Sequence, residues 1–213
     1  GLQTTSAFSI TINNVSDGNA LYNATYRSPA CLLPGAVCDT GVISVLGRAL
    51  INGGNEPNTP NTLQASCVDG NAGTFHSDES NDRLRIVSVD GSPFAPGKSV
   101  RVEATVWAYA SGYIMDYLDI FQSTDATKPV WSPVATLQPT KGGAQTLSTT
   151  FTLSSGTLQA VRANFRYNGS VTACTNGAFD DHDDLVFAVV SPPSDSTPPV
   201  ISGVSSYAVG ATS

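Results

Sequence analysis

The feature that most constrains the fold is a series of short segments in which apolar and polar residues alternate. In SVRVEATVWAY, residues 99–109, every second residue is apolar, and RLRIVSV, residues 83–89, begins with the same alternation. Successive side chains of a β-strand point to opposite faces, so a period of two predicts strands with one apolar face. Because helical periodicity is almost absent, the sequence predicts an all-β protein.

Further segments of this kind follow one another, separated by turns rich in Gly, Pro, Asn and Asp. Strands are predicted at residues 7–13, 83–89, 99–109, 116–123, 131–138, 145–153, 158–168 and 184–190. About eight strands with such turns are typical of a two-sheet antiparallel β-sandwich of the jelly-roll kind. Residues 21–75 lack long alternating runs, and we expect there a long irregular loop region pinned by disulfides.

Period two also assigns a core face to each strand. The predicted core residues are Val100, Val102, Ala104, Val106, Ala108, Leu84, Ile86, Leu118, Ile120, Val161, Ala163, Phe165 and Tyr167. The opposite faces carry five of the ten Lys and Arg residues, namely Arg83, Arg85, Arg101, Arg162 and Arg166. The simplest interpretation is a solvated sheet face on which these arginines pair with Glu103 and Asp119 across strands.

The functional alternative is a shallow binding platform on that outer face. Trp107, Tyr109 and Tyr117 would stack on sugar rings, because aromatic side chains with a polar edge combine apolar area with a hydrogen-bonding group. Arg101, Arg162 and Arg166 would bind hydroxyl groups there. The expected ligand is a polysaccharide or glycan.

Composition excludes other partners. The formal net charge is −7 and the pI is about 4.5, whereas nucleic-acid binders usually carry the opposite charge balance. No stretch approaches the roughly 20 apolar residues that span a bilayer. We therefore expect no nucleic acid as a partner and no membrane insertion.

The cysteines indicate the compartment. Cys31 and Cys38 lie close together in ACLLPGAVC, and Cys67 and Cys174 complete the set in a Gly-, Ser- and Thr-rich chain. This pattern is typical of an exported, extracellular protein with disulfides Cys31–Cys38 and Cys67–Cys174, although four cysteines allow three pairings. A zinc site would compete for the thiols, but the C-x-x-C spacing that favours zinc is missing.

The acidic segment GAFDDHDDLVFAVV, residues 177–190, poses the main chemical question. Crowded carboxylates repel one another, so their charge needs compensation. Calcium takes six to eight oxygen ligands in flexible geometry, and Asp181, Asp183 and Asp184 are candidate ligands of a structural ion. A second acidic loop supplies Asp78 and Glu79 as further candidate calcium ligands.

A metal-dependent hydrolase centred on His182, or on His76, with neighbouring acids is the catalytic alternative. The chain has neither an H-E-x-x-H nor a G-x-S-x-G motif. We therefore expect a domain that is not an enzyme by itself.

The acidic turn that leads into DDLVFAV resembles the last strand of calcium-containing jelly-roll carbohydrate-binding modules, where an Asp just inside that strand ligates a structural ion. A larger part of the chain carries a second resemblance, in the segments CDTG, EPNTPNTL, FHSDESNDRLR, APGKSVRVEATVWAY, LQAVRANFRY and DDHDDLVFAV. Together these segments resemble a galactose-binding-like accessory domain of secreted bacterial hydrolases and proteases. The resemblance implies an auxiliary module and supplies no catalytic residue.

The last residues predict a domain boundary. Residues 1–190 form the expected sandwich, and residues 191–199 form a Pro- and Ser-rich linker that should be stiff and extended. Residues 200–213 resemble the start of a fibronectin type III-like module. This resemblance implies a multidomain polypeptide in which neighbouring domains are partners, and a structural spacer without a small ligand is the competing function.

Overall fold

The computed structural model describes residues 17–42, 45, 61–72 and 75–190. Its strands are β1 (Leu21–Asn23), β2 (Ser28–Cys31), β3 (Val37–Asp39), β4 (Ser80–Ser88), β5 (Ser99–Ala108), β6 (Asp116–Ser123), β7 (Ser132–Leu137), β8 (Gly143–Thr152), β9 (Leu158–Tyr167) and β10 (Asp181–Ala188). Two short 3₁₀ helices, Leu63–Ala65 and Tyr113–Met115, lie between strands. No α-helix occurs in these ranges, and the prediction of an all-β chain is confirmed.

The strands form two sheets. One has six strands in the order β1-β2-β10-β9-β6-β7, and the other has four in the order β3-β4-β5-β8. The pairs are antiparallel except for the short parallel pair of β2 with β10. The chain is therefore a sandwich-like all-β protein whose two sheets share one apolar core.

The core lies between the facing surfaces of the two sheets. The alternating residues Val100 to Ala108 of β5 pack there against the corresponding residues of β9, β6 and β10, and Phe94 meets Phe187 edge-on at 5.3 Å between ring centroids. The predicted core residues of β4, β5 and β6 are confirmed, as are Val161, Ala163 and Phe165 of β9. Tyr167 was wrongly assigned to the core, because it ends β9 at the rim and is 41% exposed.

The outer face of β9 and β10 in the six-stranded sheet is also buried, which corrects the expected solvated face there. Residues 61–72 run along the edge of β10, and a second apolar cluster of Ala30, Leu63, Ala126, Ala160 and Val186 fills the space beneath the loops. Arg162 and Arg166 are consequently only 1% and 3% exposed. Period two identifies which residues share a face, but it does not show whether loops cover that face.

Both predicted disulfides are confirmed. Cys31–Cys38 joins β2 of the six-stranded sheet to β3 of the four-stranded sheet, and Cys67–Cys174 joins the segment 61–72 to the loop between β9 and β10. A crosslink that closes a long loop restricts the unfolded chain most, so the second bond is the more stabilising of the two in the loop-entropy description.

The expected strand at residues 7–13, the linker at 191–199 and the module start at 200–213 lie outside the described residues. Within the described part of the chain, no helix has the length and apolar character that crossing a bilayer requires.

Candidate functional site

The six residues of the predicted platform do not share one surface. Arg101 and Trp107 lie on the outer face of the four-stranded sheet, whereas Tyr117, Arg162 and Arg166 lie on the outer side of the six-stranded sheet, across the core. Tyr109 follows β5 at one end of the sandwich and is 46% exposed. The expected continuous platform is therefore wrong, because adjacent strands of the sequence belong to different sheets.

Arg162 is a structural residue beneath the loop layer. Its Nε and Nη2 donate to the two oxygens of Asp184 at 2.7 and 2.8 Å, and Nη1 donates to the carbonyl of Ala173 at 3.0 Å. Trp131 covers the guanidinium, with 4.4 Å from Cζ to the ring centroid. These contacts hold the guanidinium in place, and its charge is paired with Asp184.

Arg166 is engaged in the same way. Its Nε donates to Asp119 Oδ2 at 2.6 Å, and its guanidinium lies 4.8 Å from the ring centroid of Tyr117. On the opposite sheet, Arg101 donates to Glu103 at 2.7 Å. The arginines of the expected platform therefore act as partners of acidic side chains.

Asp184 does not fit a metal site. One oxygen accepts from Arg162 Nε, and the other accepts from Arg162 Nη2 and from the backbone N–H of Leu63 at 2.6 Å. A cation would have to replace the arginine that already neutralises this carboxylate. Moreover, Asp184 points away from the core, because β10 begins at Asp181 and the acids alternate between its two faces.

Asp183 has the opposite environment. Its side chain points between the sheets, is fully buried, and neither carboxyl oxygen has a hydrogen-bond partner. Asn61 is equally buried with both amide atoms unpartnered, and Asn81 Oδ1 is also unpartnered. We call Asn61, Asp69, Asn81 and Asp183 the Asp183 cluster.

The electrostatics of this cluster disfavour the charged form of the Asp183 carboxyl. Burial, and then the nearby charge of Asp69, raise the pKa of Asp183 well above its ordinary value, while the amides of Asn61 and Asn81 lower it. The amides are thus near the carboxyl, yet they do not close hydrogen bonds to it. Asn81 is held because its backbone N–H donates to Asp181 Oδ2 at 2.7 Å and its Nδ2 to the Asp181 carbonyl at 3.0 Å.

The donor set fits a hard cation. Carboxylate and amide oxygens are the ligands that calcium takes in proteins, and the cluster offers both kinds. In the described residues, the one group of three or more His, Cys, Asp or Glu whose ligand atoms lie within 4.8 Å is Cys67, Cys174 and His182. Both sulfurs of that group are bonded to each other, so it does not form a thiolate zinc site.

The two histidines do not form a shared centre. His182 is fully buried beneath the loop layer, and its backbone N–H donates to Asp69 Oδ1 at 2.8 Å. His76 lies outside the four-stranded sheet, where Nδ1 is 2.8 Å from Asp82 Oδ2 and the ring lies 4.1 Å from that of Trp107. This placement gives the hydrolase alternative no combined histidine site.

A second acidic site opens to solvent at the end of the sandwich. It is a pocket of about 320 Å³. Its lining residues are Asp78, Glu79, Tyr109, Gly112, Tyr167 and Phe179. Glu79 precedes β4 and Asp116 begins β6, and both are buried, with 4% and 0% exposure. We call this site, with Asp116 behind Glu79, the acidic pocket.

Two carboxyl groups meet at the inner end of the acidic pocket. Burial, hydrogen bonding with Asp78 and the proximity of Asp116 raise the pKa of Glu79 to about 9. Burial also raises the pKa of Asp116, which hydrogen-bonds with Glu79. Near neutral pH Glu79 therefore keeps its proton beside the Asp116 carboxyl. Apart from that proton, no N–H group and no Ser, Thr or Tyr hydroxyl of the described residues donates to Glu79 Oε2 or Asp116 Oδ1.

Aromatic rings form the walls of the acidic pocket. The backbone N–H of Tyr109 donates to Asp116 Oδ2 at 3.1 Å, which ties the wall to the acidic end. Gly112 lets the Tyr109 ring approach, because a Cβ at that position would lie 2.8 Å from Tyr109 Cδ1. Tyr167 and Phe179 meet edge-on at 6.1 Å between ring centroids.

Of the six side chains other than Gly112 in the acidic pocket, three were predicted from the sequence and three were not. Asp78, Glu79 and Tyr109 were predicted as site residues, the first two as metal ligands and Tyr109 as part of the platform. Asp116, Tyr167 and Phe179 were not. Asp116 has the same strand parity as the core residues of β6, and this polar residue on a core face was the available signal for a buried site.

Comparison with protein-family models finds no match for this chain. Comparison with curated proteins likewise finds none. Function is therefore inferred from the geometry of the two acidic sites.

Proposed function

We propose that the chain is a non-catalytic, calcium-stabilised binding module of a secreted multidomain protein and that it recognises a polysaccharide or glycan. The proposal depends on one observation, the acidic pocket, in which half-exposed Tyr109 and Tyr167 stand beside the buried pair Glu79 and Asp116. The ligand is bound in this pocket and not on the outer face of either sheet.

The chemistry of the acidic pocket suits a sugar unit. Tyrosine rings offer apolar area for the C–H face of a sugar, and the carboxyl oxygens accept hydrogen bonds from its polar groups. The volume of about 320 Å³ is at the lower end of the range for small-molecule pockets, which suits one residue of a longer chain. The open side allows the rest of a polysaccharide to extend into solvent.

Calcium is assigned to the Asp183 cluster. Asp183, Asn61 and Asn81 supply oxygens that lack a partner, and Asp69 supplies a further carboxylate. An ion bound there would neutralise the buried Asp183 and favour the folded state, because the unfolded chain does not assemble the cluster. Asp184 is not assigned as a calcium ligand, because Arg162 already donates to both oxygens of its carboxylate.

The wider context completes the proposal. The two disulfides support an exported protein, since such bonds persist in oxidising compartments. The two-sheet arrangement supports the finer assignment of a jelly-roll domain, and residues 191–213 are assigned to a linker and the start of a neighbouring module.

A non-catalytic role agrees with the geometry of the acidic pair. Glycosidases hold their two carboxyl groups about 5–5.5 Å or 6.5–9.5 Å apart on either side of the scissile bond. Glu79 lines the acidic pocket, whereas Asp116 lies behind it and outside the lining, so the two carboxyl groups do not face each other across a bound sugar.

Affinity electrophoresis of the purified domain in gels containing a panel of soluble polysaccharides tests the proposal. We expect retardation by at least one polysaccharide, and Tyr109→Ala and Tyr167→Ala should abolish it. Tyr22→Ala is the matched control, because Tyr22 is also exposed but lies on edge strand β1, outside the acidic pocket. Unchanged mobility in every polysaccharide would refute glycan recognition and favour the structural spacer.

A further inference from the structure

We propose that the unit bound in the acidic pocket carries a free amine, so that the module recognises an amino sugar in its protonated, non-acetylated form. This inference rests on the proposed function, because it concerns the same pocket, and it specifies the chemical class of the ligand.

The charge around the acidic pocket is unbalanced. Asp78 and Glu79 line it and Asp116 lies behind Glu79, whereas no Lys, Arg or His is among the lining residues. The ion pairs that the structure describes engage other acids, and none joins a basic side chain to these three. A ligand with a positive group would supply the missing charge, whereas a neutral sugar would not.

Apart from the proton of Glu79, two oxygens of the buried carboxyl pair at the inner end of the acidic pocket receive no donor from the surrounding backbone or from neutral side chains. Glu79 Oε2 and Asp116 Oδ1 receive no hydrogen bond from an N–H or hydroxyl group, although both side chains are more than nine-tenths buried. An ammonium group brings three N–H donors and one positive charge in a compact group. A hydroxyl brings one donor and no charge, so it would leave the negative charge of the carboxyl pair unbalanced.

The walls of the pocket also suit an organic cation. Tyr109, Tyr167 and Phe179 present aromatic surface beside the acids, and the face of an aromatic ring attracts a cation within about 6 Å of its centroid. The same surface packs against the carbon skeleton of a sugar. A bare calcium ion would gain little from these rings, because it requires six to eight oxygen ligands.

The test compares a β-1,4-linked glucosamine hexamer with its fully N-acetylated counterpart by isothermal titration calorimetry. The buffer contains calcium and is mildly acidic, so that the amine is protonated. We expect the glucosamine hexamer to bind at least roughly tenfold more tightly, since one cation–π or charged contact of about 1.4 kcal/mol gives that ratio. Asp78→Asn and Asp116→Asn should each remove the preference, because each removes one negative charge from the acidic pocket.

Glu103→Gln is the control variant, because Glu103 lies on the outer face of β5 with Arg85 and Arg101, away from the pocket. Tyr167→Ala tests the wall without changing charge, and it should weaken both hexamers. Equal affinity for the two hexamers would overturn the amine inference and leave glycan recognition standing. A preference that persists in both acidic variants would also overturn it, because the amine would then bind elsewhere. Absence of binding to these hexamers and to every polysaccharide of the panel would overturn both proposals.

Discussion

At the scale of single residues, neighbouring acids of β10 differ in whether a basic side chain balances their negative charge. Asp184 is neutralised by Arg162, while Asp183 on the opposite face has no cation partner among the described residues. Asp184→Ala should therefore leave a buried arginine unpaired, which costs about 3–5 kcal/mol of unfolding free energy. Urea unfolding measures this, and the double variant with Arg162→Met should recover most of the loss. Asp90→Asn, at an exposed pair with Lys98, keeps an acceptor oxygen for Ser88 and Ser92 and should change stability little.

Glu79 makes a pH-dependent contribution of predictable sign. Its pKa is raised from 4.5 to about 9 in the folded protein, so the folded state binds this proton more tightly than the unfolded state does. The stability that the proton provides is complete below pH 4.5 and is lost as pH rises towards about 9. We expect Glu79→Gln to flatten the decline of melting temperature over that range. Parallel pH profiles of the variant and the parent protein would contradict the assignment.

At the scale of elements, strand positions were predictable where alternation extends over several residues. The strands β4 to β10 lie within about three residues of their predicted positions because alternation extends over much of each one. The strands β1, β2 and β3 were not predicted, since three or four residues are too few for a period to emerge. The start of β10 was also missed, because its first four residues are polar yet buried.

The segment 61–72 is an element whose role the sequence did not indicate. It covers the edge of β10 through backbone bonds such as Gly70 N–H to the carbonyl of Asp180 and Asp184 N–H to that of Asn61, and it carries two members of the Asp183 cluster. The cluster was only half predictable for this reason. Asp183 lies in a conspicuous acidic run, whereas Asn61 and Asp69 reach it through tertiary pairing that no local pattern encodes.

Loss of the Cys67–Cys174 disulfide should therefore affect both stability and calcium binding. The bond spans 107 residues and anchors the segment 61–72. Replacing both cysteines by serine should cost about 4–5 kcal/mol from loop entropy, and more than the same change at Cys31–Cys38, which spans 7 residues. Chemical unfolding and calcium titration of the two double variants check this. Weaker calcium binding in the Cys31–Cys38 variant alone would argue that the segment is not anchored by the longer bond.

At the scale of the whole molecule, the sequence indicated two sheets but not how the chain divides between them. That division decides which aromatic residues share a surface. The predicted platform failed because β5 and β6, consecutive in sequence, belong to opposite sheets, whereas the acidic pocket gathers the ends of β5 and β9 and the starts of β4 and β6. Long-range pairing of this kind depends on loop closure and packing, and the alternation of apolar and polar residues gives no information about either.

Calcium should stabilise the whole fold through the Asp183 cluster, because the cluster draws on β4, β10 and the segment 61–72 at once. At a free calcium concentration 100 times the dissociation constant, binding adds about 2.7 kcal/mol, which raises the melting temperature of a protein of this size by roughly 5–11 °C. Differential scanning calorimetry with excess calcium and with a chelator measures the shift. Asp183→Asn should abolish most of it, since the variant loses the buried charge, whereas Asp90→Asn should retain it. Identical melting temperatures of the parent protein in calcium and in chelator would reject the metal assignment, and the buried Asp183 would then be held as a protonated acid.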